Sequence, residues 1–306
     1  MLPTLNPEAK KNILQHVTFA GRTTVVSPRA ARNTSDPPRE GFANSNQPDH
    51  PGEFTSWVLQ RAGLMGACYR GRSLERRVSA CLRALHAQSK THARQKLEHQ
   101  PELLPIAVST LIIGVTEFFR DRSVFQSLRT DVIPRFVTLA RPLRVWSAGC
   151  SNGAELYSTS ILLAQAGLLE GSFLLGSDCR GDAVEHARAG LYHCGALRKL
   201  DPAVRRDYFE EAAGFWRPVE YLRKHIHWKT ADIVRGIEEG PWDIILWRNM
   251  AIYLTVETTE ALWRDLASAL TPEGVLITGK AERPPADGSL IGIKRCTYRS
   301  RLPQKK

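Results

Sequence analysis

The chain has 306 residues, 42% of them hydrophobic and 24% charged, and carries a net charge of +11. This length allows two domains or one with extensions, and the balance is that of a soluble globular protein. No apolar run is long enough for a membrane helix, and the first residues lack the apolar core and small-residue cleavage site of a secretory signal, so neither membrane insertion nor export is expected. The early basic residues Lys10, Lys11, Arg22 and Arg29 are offset by Glu8 and scattered prolines, which argues against a transit peptide. The cysteines Cys68, Cys81, Cys150, Cys179, Cys194 and Cys296 form no Cys-x-x-Cys pair, and no histidine cluster stands at zinc-ligand spacing. They read as free thiols of a reducing, cytoplasmic compartment. The positive excess points to an acidic partner: nucleic acid, an anionic membrane surface or an acidic protein face.

In chain order, residues 1–52 read as a disordered extension, rich in Pro, Ser, Asn and charge, with one short helix expected over residues 7–17. Residues 53–122 read as a small all-helical domain and linker. Leu74, Val78, Cys81, Leu82 and Leu85 recur at helical spacing. Arg70, Arg72, Arg76, Arg77 and Arg83 lie between them and give that helix a basic face, which is either a docking surface or a solvated one. Further helices are expected over residues 90–99 and 103–113. From residue 141 the pattern changes. Apolar runs at 143–148, 173–178, 225–228, 242–247, 275–278 and 293–298 read as strands, and residues 272–274 as a turn. Helical patterns over the residues from Leu156 to Leu163, 182–189 and 258–270 stand between them. Strand alternating with helix predicts an α/β, doubly wound, mostly parallel sheet over residues 123–306.

Ligands of such sheets bind at the C-terminal strand ends. The first run ends in Gly149-Cys-Ser-Asn-Gly153, a turn that lets the backbone approach a ligand, with Glu155 in the next helical turn. The turn has neither the dinucleotide-binding nor the phosphate-loop spacing, and by itself is equally a plain tight turn. The second run ends in Asp178, which can accept both hydroxyls of a ribose or simply cap a helix. The fourth ends in Trp247-Arg-Asn-Met-Ala-Ile-Tyr-Leu254, where Arg248 and Asn249 follow a buried strand and need partners.

With these residues in view, the chain resembles the CheR-type chemotaxis-receptor glutamate methyltransferases, which are class I enzymes dependent on S-adenosylmethionine (SAM). Val115-Thr-Glu-Phe-Phe-Arg-Asp121 looks like that family's interdomain signature. Val145-Trp-Ser-Ala-Gly-Cys-Ser-Asn-Gly-Ala-Glu-Leu-Tyr-Ser158 is similar to its cofactor loop, Ser177-Asp178 to its ribose-binding acid, and Arg248-Asn249 with Ile252-Tyr253 to its Arg-Asn-Val-x-Ile-Tyr segment. Gly279-Lys-Ala-Glu282 stands at a Gly-His-Ser-Glu-like end, and the match runs in order from about residue 54 to 300.

The resemblance implies a seven-stranded Rossmann-like sheet and SAM as cofactor. It places Thr116, Arg120, Gly149, Glu155, Asp178, Arg248 and Asn249 around the cofactor, Asp232 and Ile233 beside the adenine, and Arg120 and Tyr253 at the methyl-transfer site. The implied partner is an acidic helical cytoplasmic region of a chemoreceptor-like protein, with Arg70, Arg72, Arg76, Arg77 and Arg83 docking on it and the enzyme acting as a monomer. The sequence departs from the family in four places. Ala154 and Leu156 replace an acid and a proline of the loop, Gly114 stands for an Asn, Trp247 for a Cys and Lys280 for a His. Residues 209–225 show no long Gly-containing hairpin, so the receptor tether of some family members is not expected. Three rival readings remain: a small-molecule O-methyltransferase, a non-catalytic SAM-binding regulator, and a nucleic-acid methyltransferase. The third is disfavoured because no Asn/Asp-Pro-Pro-aromatic segment follows the fourth strand and no aromatic platform is interleaved with the basic helix.

Overall fold

Helices occupy the stretch whose apolar residues recur at helical spacing: α1 (Glu53–Arg61), α2 (Gly71–Ala84), α3 (Lys90–His99) and α4 (Leu104–Leu111). The computed structural model describes residues 49–301 except Val115 and Ala140, so most of the expected extension, and the helix over residues 7–17, lie outside the described residues. Helices of this length are marginal in water by themselves and depend on burying one face. In α2 that face is Leu74, Val78 and Cys81, continued by Leu85, all buried, with Leu82 half-buried. Local chemistry fixes the ends: Ser89 accepts from the His92 N–H to cap α3, and Pro105 sits in the first turn of α4, where its missing N–H costs nothing. A link then leads to α5 (Arg122–Ser127), a π-helical turn (Leu128–Val132) and α6 (Ile133–Val137).

The remainder alternates strand and helix. Its main elements are β1 (Arg144–Ala148), α7 (Ala154–Gln165), β2 (Phe173–Asp178), α8 (Gly181–Ala189), β3 (Phe209–Ala212), β4 (Phe215–Pro218), β5 (Ile226–Thr230), β6 (Trp242–Trp247), α9 (Val256–Ser268), β7 (Leu270–Thr278), β8 (Leu290–Lys294) and β9 (Thr297–Ser300), with short helices at Pro202–Tyr208 and Glu220–Arg223 flanking the β3–β4 pair. The main sheet has seven strands in the order β5-β2-β1-β6-β7-β9-β8. The first five are parallel, and β9 and β8 add antiparallel at one edge. The expected doubly wound α/β sheet is thus present. Strand order reverses at β1, between β2 and β6, which opens a crevice at their C-terminal ends.

Alternate residues along a strand face opposite sides of the sheet. Trp146, Ile245, Trp247 and Leu276 join a core with α9 and the amino-terminal helices, whereas Val145, Ile244, Leu246 and Ile277 join one with α7 and the α5–α6 segment. Buried Asp243 ties the opposite strand ends together: it takes a bidentate pair from Arg141 at 2.6 and 3.0 Å, the Arg144 N–H at 2.9 Å and the Thr271 hydroxyl at 3.1 Å.

Two expectations need correction. Leu270 belongs to β7, paired with Trp242, and not to the preceding helix; the residues read as a turn at 272–274 are taken up by a register shift between Trp242 and Ile244. The last expected strand is a hairpin of two strands that turns at Cys296, whose φ is +59°. Outside the main sheet, residues 209–218 form a short hairpin that contains Gly214, in register Phe209 to Pro218, and no long one.

Candidate active site

The residues that end β2 and follow β1 and β6 line one cleft of about 240 Å³. After β1 the backbone turns sharply: Gly149 has φ +77°, and a Cβ there would be strained and would lie 2.6 Å from the Met250 side chain, which suits glycine. The Gly149 and Cys150 N–H groups both donate to the Ser177 carbonyl, and the Ser151 N–H donates to Asp178 Oδ2 at 2.9 Å. The glycine turn is thereby locked to the acid at the end of β2. Cys150 is buried in this turn, and burial, aided by the charges of Asp178 and Glu155, pushes its thiol well above the usual range.

Glu155 and Arg248, both on the cleft wall, belong to an ionic chain that runs out to Lys280. The Arg248 guanidinium is 1% exposed and donates to Glu155 Oε2 at 2.8 Å, to Asp121 Oδ2 at 3.0 Å and to the Arg120 carbonyl at 2.9 Å. Glu155 also accepts from the Ser147 hydroxyl at 2.9 Å. Lys280 pairs with the other oxygen of Asp121 at 3.1 Å. Burial would raise the Asp121 carboxyl, but the Lys280 hydrogen bond and the Arg248 and Lys280 charges outweigh it and hold the group below the usual aspartate range. A buried cation tolerates its desolvation only when paired in this way.

The segment after β6 is shaped by a residue to which sequence reading gave no role. Glu282 is 3% exposed and accepts four backbone N–H groups: Asn249 and Gly279 on Oε2 at 2.8 and 2.7 Å, Met250 and Ala251 on Oε1 at 2.8 and 3.0 Å. It holds Asn249 in the left-handed region (φ +60°), which Asn tolerates better than most residues. The same loop presents Tyr253, whose hydroxyl donates to the Ile113 carbonyl at 2.8 Å. Burial raises the Tyr253 pKa, against the lowering charges of Arg77, Arg180 and Arg120, so it stays a neutral phenol near neutrality.

Of the sequence-derived candidates, Thr116, Arg120, Gly149, Glu155, Asp178, Arg248, Asn249 and Tyr253 all line this cleft. Asp232 and Ile233 do not. Ile233 is buried, and Asp232 caps a short helical turn through Oδ1 while its buried Oδ2 has no hydrogen-bond partner. Burial raises its carboxyl pKa. The basic face of α2 divides. Arg72, Arg76 and Arg83 are exposed. Arg77 reaches the cleft, and Arg70 is half-buried, its guanidinium donating to the Leu254 carbonyl, so it braces the loop after β6. Sequence reading missed Arg180, which lines the cleft 8% exposed and pairs with Asp178. It also missed Ser151 and Cys179.

A doubly wound sheet with a glycine turn after its first strand and an acid ending the second is a frame for a nucleoside cofactor, and the family match makes this one a SAM-dependent methyltransferase. A model of the "CheR methyltransferase, SAM binding domain" matches residues 114–296, more than half of the chain, and the chain belongs to that family. It is 29% identical over 248 residues to a chemotaxis protein methyltransferase of Listeria innocua, covering 80% of this chain and 95% of that one. It is 31% identical to chemotaxis protein methyltransferase 2 of Pseudomonas aeruginosa, covering 67% and 76%. Among solved structures, the plantazolicin methyltransferase BpumL in complex with S-adenosylhomocysteine (SAH) gives a TM-score of 0.31 at 16% identity, over 68% of this chain and 62% of that one. No helix among the described residues is long and apolar enough to cross a membrane.

Proposed function

We propose that this chain is a cytoplasmic protein-glutamate O-methyltransferase that forms methyl esters on acidic helices of chemoreceptor-like signalling proteins. The observation that carries the reading is the convergence of Arg77, Arg120 and Tyr253 on the cleft that also holds Asp178 and Glu155. A basic helix that reaches the cofactor pocket can bring an acidic helix to it. In this reading residues 53–122 serve as the docking part and residues 123–306 as the catalytic part.

The donor and acceptor set suits SAM. Asp178 would take the ribose hydroxyls and Glu155 would face the cationic amino-acid end, whereas Asp232, whose buried Oδ2 has no partner but which does not line the cleft, would have to move to reach the adenine amine. Bound SAM supplies a methyl group already activated by the sulfonium. A glutamate carboxylate is ionised at neutral pH, so the protein need not supply a base. Its task is to align the carboxylate and exclude water. The Arg120 guanidinium would hold the carboxylate through charge-assisted hydrogen bonds. Tyr253 has one hydroxyl proton and spends it on the Ile113 carbonyl, so it must release that carbonyl before it can donate to a substrate.

The test is transfer from methyl-labelled SAM to a receptor cytoplasmic fragment, followed by mild alkali. Label on the fragment that alkali releases supports a carboxyl ester; label that resists alkali, or that appears only on small metabolites or nucleic acid, rejects it. Charge reversal at Arg72 and Arg76 should weaken transfer to the fragment without altering SAH affinity.

A further inference from the structure

We propose that Arg180 is an internal competitor for the ribose subsite, and that the cofactor must displace its guanidinium from Asp178 in order to bind. This rests on the assignment of Asp178 to the ribose.

The hydrogen bonds to Asp178 leave no acceptor site open. An ionised carboxylate offers about four lone-pair sites. Asp178 already receives four N–H donors. Oδ2 takes the Ser151 N–H at 2.9 Å and Arg180 Nη2 at 3.3 Å; Oδ1 takes the Arg180 backbone N–H at 3.0 Å and Nε at 3.0 Å. Nothing is left for a vicinal diol. Two of the four donors are backbone groups fixed by the turn after β1 and by the start of α8. The other two sit on one side chain that can rotate away. The exchange is therefore two for two: the guanidinium leaves, two ribose hydroxyls arrive, and the acid remains fully bonded throughout.

Two further features fit a side chain built to occupy this place and to leave it. Gly114 makes room for the guanidinium, since a Cβ there would lie 2.0 Å from Arg180 Nη2. A second carboxylate is within electrostatic reach, because Asp182, in the first turn of α8, adds to the raising of the Arg180 pKa against the burial that lowers it. Asp182 in turn accepts from the Ser109 hydroxyl of α4 at 2.7 Å, so a guanidinium moving that way would meet the contact between α8 and the amino-terminal helices. The apparent cofactor affinity is then the intrinsic affinity multiplied by the fraction of molecules in which Asp178 is free.

The experiment is calorimetric titration of SAH into the wild type, Arg180→Met and Arg180→Lys, each checked for folding by its ligand-free melting curve. SAH lacks the sulfonium, so removal of a nearby positive charge does not by itself favour it. Arg180→Met should bind SAH roughly tenfold more tightly than the wild type. Arg180→Lys, whose single ammonium cannot span both oxygens, should fall between. Adenosine should gain from Arg180→Met, and 2′,3′-dideoxyadenosine, which has no diol, should not. If Arg180→Met melts too low for titration, Arg180→Lys gives the answer through a larger melting shift with SAH than the wild type shows. Equal or weaker SAH binding by the folded variants, with firm binding by the wild type, overturns the competitor role and leaves the cofactor site standing. No SAH binding by any of the three folded proteins overturns both.

Discussion

Glu282→Gln is a severe change for its size. The carboxylate accepts two backbone N–H groups on each oxygen, and all four belong to the segments that end β6 and β7. A glutamine has one acceptor oxygen and one NH2 donor, so whichever way it turns, two N–H groups lose their acceptor and face another donor. Hydrogen bonds to a charged group contribute about 1.5–3 kcal/mol each, and a buried orphan costs about 1–3 kcal/mol. With some relaxation the loss should be about 2–5 kcal/mol. At about 2–4 °C per kcal/mol for a domain of some 150–250 residues, the melting midpoint should fall by roughly 5–15 °C. Because the same bonds hold Asn249 and, through the loop, Tyr253, SAH affinity should fall as well, by about tenfold or more. The assays are thermal denaturation at neutral pH and calorimetry with SAH. A midpoint within about 2 °C of wild type, with SAH affinity unchanged, would refute the claim that this carboxylate organises the loop.

Arg120→Ala and Tyr253→Phe should each lower kcat roughly tenfold or more while SAH affinity changes far less; equal losses in both would make them cofactor ligands and not substrate-aligning groups. At neutral pH a thiol reagent should modify exposed Cys194 first, and Cys81, pushed up to about 12 by burial, only after unfolding. SAH should also slow the modification of Cys179, which lines the cleft; protection absent with SAH bound would misplace the ligand. Asp121 has a depressed folded-state pKa, so its contribution to stability is present above the ordinary aspartate pKa and is lost as pH falls through the lower folded value. Lys280→Met removes the main cause of that depression, so acid unfolding should begin at higher pH than in the wild type; coincident acid-unfolding curves would show that the pair does not stabilise the fold.

What sequence reading located, and what it missed, follows from how local each signal is. The runs at 173–178 and 242–247 match β2 and β6 because a strand covered on both faces is written in consecutive apolar residues. The α2 stripe was visible because one face of one helix repeats at fixed spacing. Phe209–Ala212 and Phe215–Pro218 escaped notice: each strand is four residues long and holds charge, and its pairing is decided by its partner. Only the last two residues of β8 fall within the expected run at 293–298, since Leu290, Ile291 and Gly292 give no clean alternation at a sheet edge. Around the cleft, Gly149, Asp178 and Asn249 stand at strand ends and Glu155 in the helical turn after one, where a local pattern can be read. Arg180 gives no such pattern. An arginine two residues past a strand reads as surface charge, and only the missing side chain of Gly114, 66 residues earlier, lets it lie buried against Asp178. Arg70 was read as part of a docking face, yet its partner is the Leu254 carbonyl, a contact 184 residues away that no local pattern reveals.

The central claim is that an adenosyl sulfonium compound sits at the ends of β1, β2 and β6 with Asp178 holding its ribose. Side-by-side calorimetry of SAH with the wild type and Asp178→Asn tests it most directly. The account predicts one site per chain in the wild type and an affinity at least roughly tenfold weaker in the variant, since the amide loses the charge and half the acceptors that the diol requires. Equal affinities in two folded proteins, or no binding by either, would contradict it.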